Sequence, residues 1–331
     1  MYPLLLFIAF QFFTGSPHRW KESSSFGDRE DFVNRQFSRQ GDSVYLFCYF
    51  KGNGDGLHYS YSNDGYTWRA LFNDSTIIKP TVAKDKLMRD PCIIKGGDGK
   101  YHMVWTVSWN DKGIGYASSS DLYHWSEQQF LPVMIKEDSA RNSWAPEITY
   151  DSQDKMYIIY WATTIDGRFP QKDTSAESRY NHRIYYVTTK DFRKFSKTKL
   201  LYDPGFSVID ASIVKHGKQY IMFLKNETRA PVEKNIRISY SKKLEGPYSP
   251  AGPPITGNYW AEGPTVLKMK DRWIVYFDKY RDHKYGAVES IDMVNWKDIS
   301  DHVIFPKGIR HGTVFSISNE EYERLKLFSG K

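Results

Sequence analysis

Apolar and aromatic residues cluster in runs of four to eight, separated by Gly/Asp/Asn turns, from about residue 42 almost to the C-terminus. Runs of that length, rich in Tyr, Trp, Val and Ile, predict β-strands joined by tight turns. No apolar stripe at helical spacing interrupts them. The pattern before residue 42 is different. Met1-Tyr-Pro-Leu-Leu-Leu-Phe-Ile-Ala-Phe-Gln-Phe-Phe-Thr-Gly-Ser16 is an apolar run too short to span a bilayer. It suits the apolar region of a signal peptide, although it lacks a basic start. Residues 17–41 are polar and read as a linker or tail, 42–320 as one folded domain, and 321–331 as a C-terminal tail. The expected location is secreted or periplasmic.

Three kinds of strand recur. The first begins with a small or acidic residue and turns apolar: Asp90-Pro-Cys-Ile-Ile, Ala145-Pro-Glu-Ile-Thr, Asp210-Ala-Ser-Ile-Val, Glu262-Gly-Pro-Thr-Val and His311-Gly-Thr-Val-Phe. The second is aromatic, as in Tyr101-His-Met-Val-Trp and Trp273-Ile-Val-Tyr-Phe. The third ends in small polar residues, as in Ile114-Gly-Tyr-Ala-Ser-Ser, and is followed by Trp125, Phe195, Trp296, Trp68 or, in one copy, Tyr248. The first strands start 55, 65, 52 and 49 residues apart. A period near 50 with about four strands per copy predicts an all-β, five-bladed β-propeller of four-stranded blades. The copy at 43–72 lacks a first strand, and the strand at His311 has nothing after it to pair with. One blade is therefore expected to join strands from both chain ends, which covers two otherwise open edges.

Composition narrows the picture. Aromatics make up 16% of the 331 residues, more than one core needs, so they serve blade packing or sugar stacking. The net charge of +7 is scattered and shows no nucleic-acid footprint. The two cysteines, Cys48 and Cys92, fall in strands and read as buried thiols. No Cys/His spacing suggests zinc. No other segment is apolar enough to span a membrane. Gly96-Gly-Asp-Gly reads as a hairpin turn, and Asn73-Asp-Ser and Asn226-Glu-Thr fit the glycosylation pattern.

In a propeller the first strands line the central channel, so Asp90, Ala145, Asp210, Glu262 and His311 should meet at one mouth. Each carboxylate alone has a structural explanation: a turn at Asp90, a loop cap at Asp210, an ion pair at Glu262. Three at equivalent places in one repeat favour use, because crowded like charges are costly. Paired carboxylates in an aromatic cleft suit glycoside hydrolysis.

Met88-Arg-Asp-Pro-Cys-Ile-Ile, Ser143-Trp-Ala-Pro-Glu-Ile, Val208-Ile-Asp-Ala-Ser-Ile and Ala261-Glu-Gly-Pro-Thr resemble, in order, the four blade motifs of glycoside hydrolase family 43. The likeness covers about residues 42–318 and is strongest to arabinofuranosidase-like members. It implies an inverting glycosidase with Asp90 as general base, Glu262 as general acid, and Asp210 as the ionised neighbour that keeps the acid protonated. An inverting acid and base stand about 6.5–9.5 Å apart. Glu147 stands where many relatives have Asp and is expected in the channel, outside the triad. The resemblance also implies a His contact to a channel calcium or water cluster, which His311 would supply, with no cofactor otherwise required. Trp144 is a sugar-stacking candidate, and Trp109, Trp161 and Trp260 are weaker ones. Arg89 and Arg310 flank the inner strands as hydroxyl-binding candidates. The expected substrate is an oligo- or polysaccharide, most of all an α-L-arabinofuranoside of plant side chains, and the expected state is a monomer. The alternatives are a β-xylosidase or galactosidase of the same fold, or a non-catalytic carbohydrate-binding propeller.

Overall fold

The computed structural model describes residues 43–170 and 179–330. The apolar run 1–16 and the linker 17–41 lie outside the described residues. The strands are β1 (Ser43–Tyr49), β2 (His58–Ser62) and β3 (Arg69–Ala70), followed by β4 (Arg89–Lys95), β5 (Tyr101–Thr106), β6 (Ile114–Ser119) and β7 (Gln129–Leu131). Then come β8 (Trp144–Asp151), β9 (Met156–Thr163), β10 (Arg183–Thr189) and β11 (Lys199–Tyr202), and β12 (Val208–His216), β13 (Gln219–Asn226) and β14 (Ile236–Ser241). The last are β15 (Glu262–Lys268), β16 (Trp273–Lys279), β17 (Lys284–Ser290), β18 (Lys297–Asp298) and β19 (Gly312–Ser318). They form five antiparallel sheets, the blades of a five-bladed propeller.

The first blade is β4–β7, the second β8–β11, the third β12–β14 and the fourth β15–β18. The fifth runs β19-β1-β2-β3, with Val44 opposite Ile317 and Cys48 opposite Thr313. Closure by both chain ends is thus as the sequence predicts.

Each blade is apolar on both faces because each is packed between two others. In β9, Ile158 and Tyr160 face the third blade, and Ile159 and Trp161 face the first. Five such cores, one between each pair of neighbouring blades, complete the ring. Much of the aromatic excess goes here, including Trp68, Trp105 and Trp161. Cys48 and Cys92 are buried free thiols. The Gly96 segment is a turn, with Gly96 N–H donating to Lys100 O at 2.7 Å.

A second repeat element sits where each third strand ends. In Ser62-Asn-Asp64, Ser119-Ser-Asp121, Thr189-Lys-Asp191 and Ser290-Ile-Asp292, the Asp accepts from the backbone N–H groups two and three residues on, at 2.8–3.0 Å. Such Asx turns redirect the chain toward the outer strand. The third blade has Lys243 in place of that Asp, and Pro250, Pro253 and Pro254 beyond it. Residues 249, 252 and 255 still donate to β14, but the prolines lack the N–H groups of a ladder. That blade therefore has three strands, where four were expected.

The expected tail 321–331 is corrected as well. Helix α1 (Asn319–Lys326) starts at Ser318, whose side chain accepts from Glu321 N–H while Glu321 reaches back in a capping box. Leu325 is buried and packs, with Tyr322, on the core between the fifth and first blades.

Candidate active site

The same β-bulge shapes four of the inner strands. Arg89 pairs with Thr106 and Cys92 with Val104, so Asp90 and Pro91 together oppose one residue. Ala145-Pro146, Asp210-Ala211 and Gly263-Pro264 do likewise in the second, third and fourth blades. The first bulge residue is left-handed in each: Asp90 φ 52°, Ala145 φ 45°, Asp210 φ 52° and Gly263 φ 59°. Bulges re-aim side chains and recur beside active sites.

This register corrects one alignment. Asp90, Ala145 and Asp210 are equivalent, but their counterpart in the fourth blade is Gly263. Glu262 stands one position earlier, level with Arg89, Trp144 and Ile209. A Cβ on Gly263 would lie 2.4 Å from the His311 ring, so only glycine suits both the backbone and the packing here.

The mouth opens into a cavity of about 660 Å³. Asp90, Asp210, Glu262, Arg89, Arg310, His311, Trp144 and Trp260 all line it. Asp90 accepts from Thr106 Oγ1 at 2.9 Å and meets His311 Nδ1 at 3.3 Å. Burial raises its pKa. The His311 hydrogen bond and charge, then Arg89 and Thr106, more than reverse this and hold it at about 2. Burial depresses His311, but Asp90, Asp210 and Glu147 around it raise it to about 9.

Asp210 accepts from Gly263 N–H at 2.9 Å, which ties it to the backbone beside Glu262. Burial pushes its pKa up to about 6, against the charges of His311 and Lys225 and with those of Glu262 and Asp90. Glu262 accepts from Lys225 Nζ at 2.9 Å and from Arg310 at 3.2 Å, one cation on each oxygen. In the free site both Glu262 oxygens are thus engaged by cations, and burial favours the protonated form of Asp210. Arg310 also donates to Asp278 at 2.6 Å.

The aromatic candidates divide. Trp144 donates from Nε1 to Trp109 O at 3.0 Å, and the two rings meet edge to face at the cavity wall. Trp260 carries Arg281 and Lys234 over its ring at 4.5 and 5.6 Å. Trp161 does not reach the site. It is 1% exposed and lies in the core between the first and second blades. Arg89 is no surface ion pair. Its guanidinium lies over Phe50 and Trp109, each at 4.7 Å. Glu147 lies inside the channel, accepting from Thr313 at 3.3 Å and Ser212 at 3.5 Å, and burial lifts its pKa to about 7. Asn226 is 4% exposed and is no surface glycosylation site.

His311 Nδ1 faces Asp90 at 3.3 Å, and the charges of Asp90, Asp210 and Glu147 favour its protonated form, which offers a metal no lone pair. Among the described residues no group of three or more His, Cys, Asp or Glu side chains is placed to hold a metal ion.

Several cavity residues escaped the sequence reading: Thr106, His182, Lys225, Glu227 and Lys234. Lys225 is buried between Glu227 and Glu262 and stays charged because their charges outweigh its burial. Lys234 donates to Glu227 at 2.7 Å. Thr106 and Lys225 lie at the ends of second strands, which run antiparallel to the first and finish at the same mouth. The apolar run Tyr220-Ile-Met-Phe-Leu ending in Lys225 was the available signal.

Comparisons with known proteins bear on the fold and the family. A curated α-L-arabinofuranosidase of Bifidobacterium longum is 24% identical over 271 residues, 69% of this chain and 25% of the relative. The chain thus spans about a quarter of that protein's length. Among solved structures, an α-L-arabinanase of Cellvibrio cellulosa complexed with arabinohexaose superposes with TM-score 0.54 at 14% identity, over 81% of this chain and 96% of that one. An exo-β-1,3-galactanase of Phanerochaete chrysosporium gives 0.50 at 12% identity, over 64% and 49%. Both share the fold. No described helix is long and apolar enough to cross a membrane. The family model for a probable glycosyl hydrolase domain, glycosyl hydrolase 43-related, matches residues 42–323, so the chain belongs to that glycosidase family.

Proposed function

We propose that the protein is an inverting α-L-arabinofuranosidase acting on arabinose side chains of plant polysaccharides. One observation carries the reading: Asp90, Asp210 and Glu262 line a single cavity in three different electrostatic settings. The curated relative supports the choice of sugar.

In this reading Asp90, ionised at any working pH, takes a proton from water as the water oxygen bonds to the anomeric carbon. The glycosidic C–O bond breaks on the opposite face, and Glu262 gives its proton to the departing oxygen. To carry that proton Glu262 must first leave Lys225 or Arg310 and take up a proton from solvent, and the entering sugar's hydroxyls are suited to accept from the released cation. Asp210, bound to Gly263 N–H, holds the backbone beside Glu262 and adds negative charge there above about pH 6.

The test is hydrolysis of a nitrophenyl glycoside panel, with proton NMR of the first-formed sugar. The expected result is release of L-arabinofuranose with inverted configuration. Glu262→Gln should lose most on poor leaving groups and least on nitrophenol, which departs without protonation. Release of xylose or galactose alone overturns the sugar, and retention overturns the mechanism. Binding without cleavage of any glycoside favours a carbohydrate-binding propeller.

A further inference from the structure

His182, just before β10, lines the cavity and is 2% exposed. Its ring is stacked on Tyr180, with centroids 4.9 Å apart at 21°, and tilted against Trp144 at 5.0 Å and 38°. Its backbone N–H donates to Ser207 Oγ at 3.1 Å. The ring is therefore held from several sides.

Its proton can be placed by hydrogen-bond logic. Asn142 Oδ1 accepts from Thr164 N–H at 3.1 Å, which fixes the orientation of that amide. Asn142 Nδ2 then faces His182 Nε2 at 3.2 Å. An amide nitrogen only donates, so Nε2 accepts and the ring proton sits on Nδ1. Burial lowers the pKa to about 3, helped by Arg141, Lys225 and Arg183 and opposed by Glu227, so the ring is neutral. Among the described residues the buried Nδ1–H has no partner. Buried donors left unpaired are costly and rare.

Glu227 lies close by. Its backbone N–H donates to Ser207 O at 2.9 Å, so both residues hang from Ser207. Its Oε1 is paired with Lys225 and its Oε2 accepts from Lys234, which leaves each oxygen one lone pair, and the two lysines hold its pKa at about 2 against burial. A fixed neutral donor beside a fixed anionic acceptor matches a group that accepts once and donates once. A sugar hydroxyl does both, whereas a carboxylate or phosphate would face Glu227 with like charge.

We infer that His182 is a specificity-determining residue: its Nδ1–H donates to one hydroxyl of the glycosyl group, and that hydroxyl donates to Glu227. The inference rests on the glycosidase reading and is independent of which sugar is cleaved.

Two substitutions separate the roles of the two nitrogens. In His182→Gln the amide oxygen reaches the place of Nε2 and keeps the Asn142 bond, but nothing stands at Nδ1. In His182→Asn the amide nitrogen takes the place of Nδ1. With whichever nitrophenyl glycoside the panel selects, H182Q should lose about ten- to a hundredfold in kcat/KM, and H182N should regain part of it. The monodeoxy glycoside lacking the read hydroxyl should lose at least a similar factor in the native enzyme and clearly less in H182Q, where only the Glu227 bond remains to be lost. H182Q within twofold of native, or fully additive losses on every deoxy analogue, overturns the inference.

Imidazole ¹⁵N NMR of the native protein needs no variant. Nδ1 should be protonated, and its signal should move on saturation with L-arabinose, D-xylose or D-galactose. A signal unmoved by all three overturns the inference. Activity on xylosides alone, with the H182Q pattern intact, overturns the arabinofuranoside reading and leaves this one standing.

Discussion

Asp90 and Asp210 occupy one backbone slot in two blades. Both open the same bulge, both have φ 52°, and both are largely buried at the cavity floor. Their chemistry is opposite, about 2 for one and about 6 for the other. Asp90 is hydrogen-bonded to an imidazolium and a threonine hydroxyl, whereas Asp210 has a single backbone N–H, feels His311 and Lys225 only through space, and has Glu262 and Asp90 nearby. The repeat sets where a side chain points, and residues from other blades set its charge.

Breaking the Asp90 side should have the largest effect. Asp90→Asn removes the proposed base, and kcat/KM on the best nitrophenyl glycoside should fall about 10²–10⁴-fold. Near-native activity would show that the base lies elsewhere.

His311→Asn should come next, because it makes Asp90 resemble Asp210. With burial no longer offset, the Asp90 pKa should rise, and the acid limb of the activity profile should move to higher pH. Stability gives a second readout. The folded pKa of His311, about 9, exceeds the ordinary value of about 6.5. Its contribution is complete below about pH 6.5 and is lost as pH rises through 9. The urea midpoint of the native protein should fall across that window, and the His311→Asn protein should lack this decline.

Asp210→Asn sharpens the contrast with a smaller change. The folded pKa of about 6 lies above the usual carboxylate value, so ionisation strains the fold. The stability this proton confers is present at low pH and lost as pH rises through about 6. The variant should therefore melt higher than native at pH 7, by about 2–4 °C per kcal/mol recovered, and its activity profile should lose an ionisation near 6. Glu147→Gln is the control. Its side chain sits in the channel against Thr313 and Ser212, and kcat/KM should stay within about two- to threefold of native.

The ring, its closure and the meeting of Asp90, Asp210 and Glu262 were legible because period and strand order determine them. The register of Glu262 was not. A bulge adds one residue to a strand without a mark in its composition, and Glu-Gly-Pro aligned by eye with Asp-Pro-Cys. His182 and Lys225 were missed for another reason. The starts of the inner strands mark only part of the mouth, because an antiparallel neighbour ends there and the next one starts there. The lost strand of the third blade was visible in Lys243 and the three prolines once the Ser/Thr-x-Asp corner was known. Trp161 was misplaced because both faces of its strand are buried, so no alternation separates wall from core.

The closing pair β1 and β19 has a bearing on synthesis. Arg310 and His311 leave the ribosome more than 200 residues after Asp90. Until they arrive, the first-blade aspartate lacks its imidazolium partner and the ring has no seal, so an unfinished chain is expected to be both open and inert. Joining such distant segments is slow compared with local pairing. Pairing of Asp90 with His311 and completion of the barrier around the channel therefore come together, with β19.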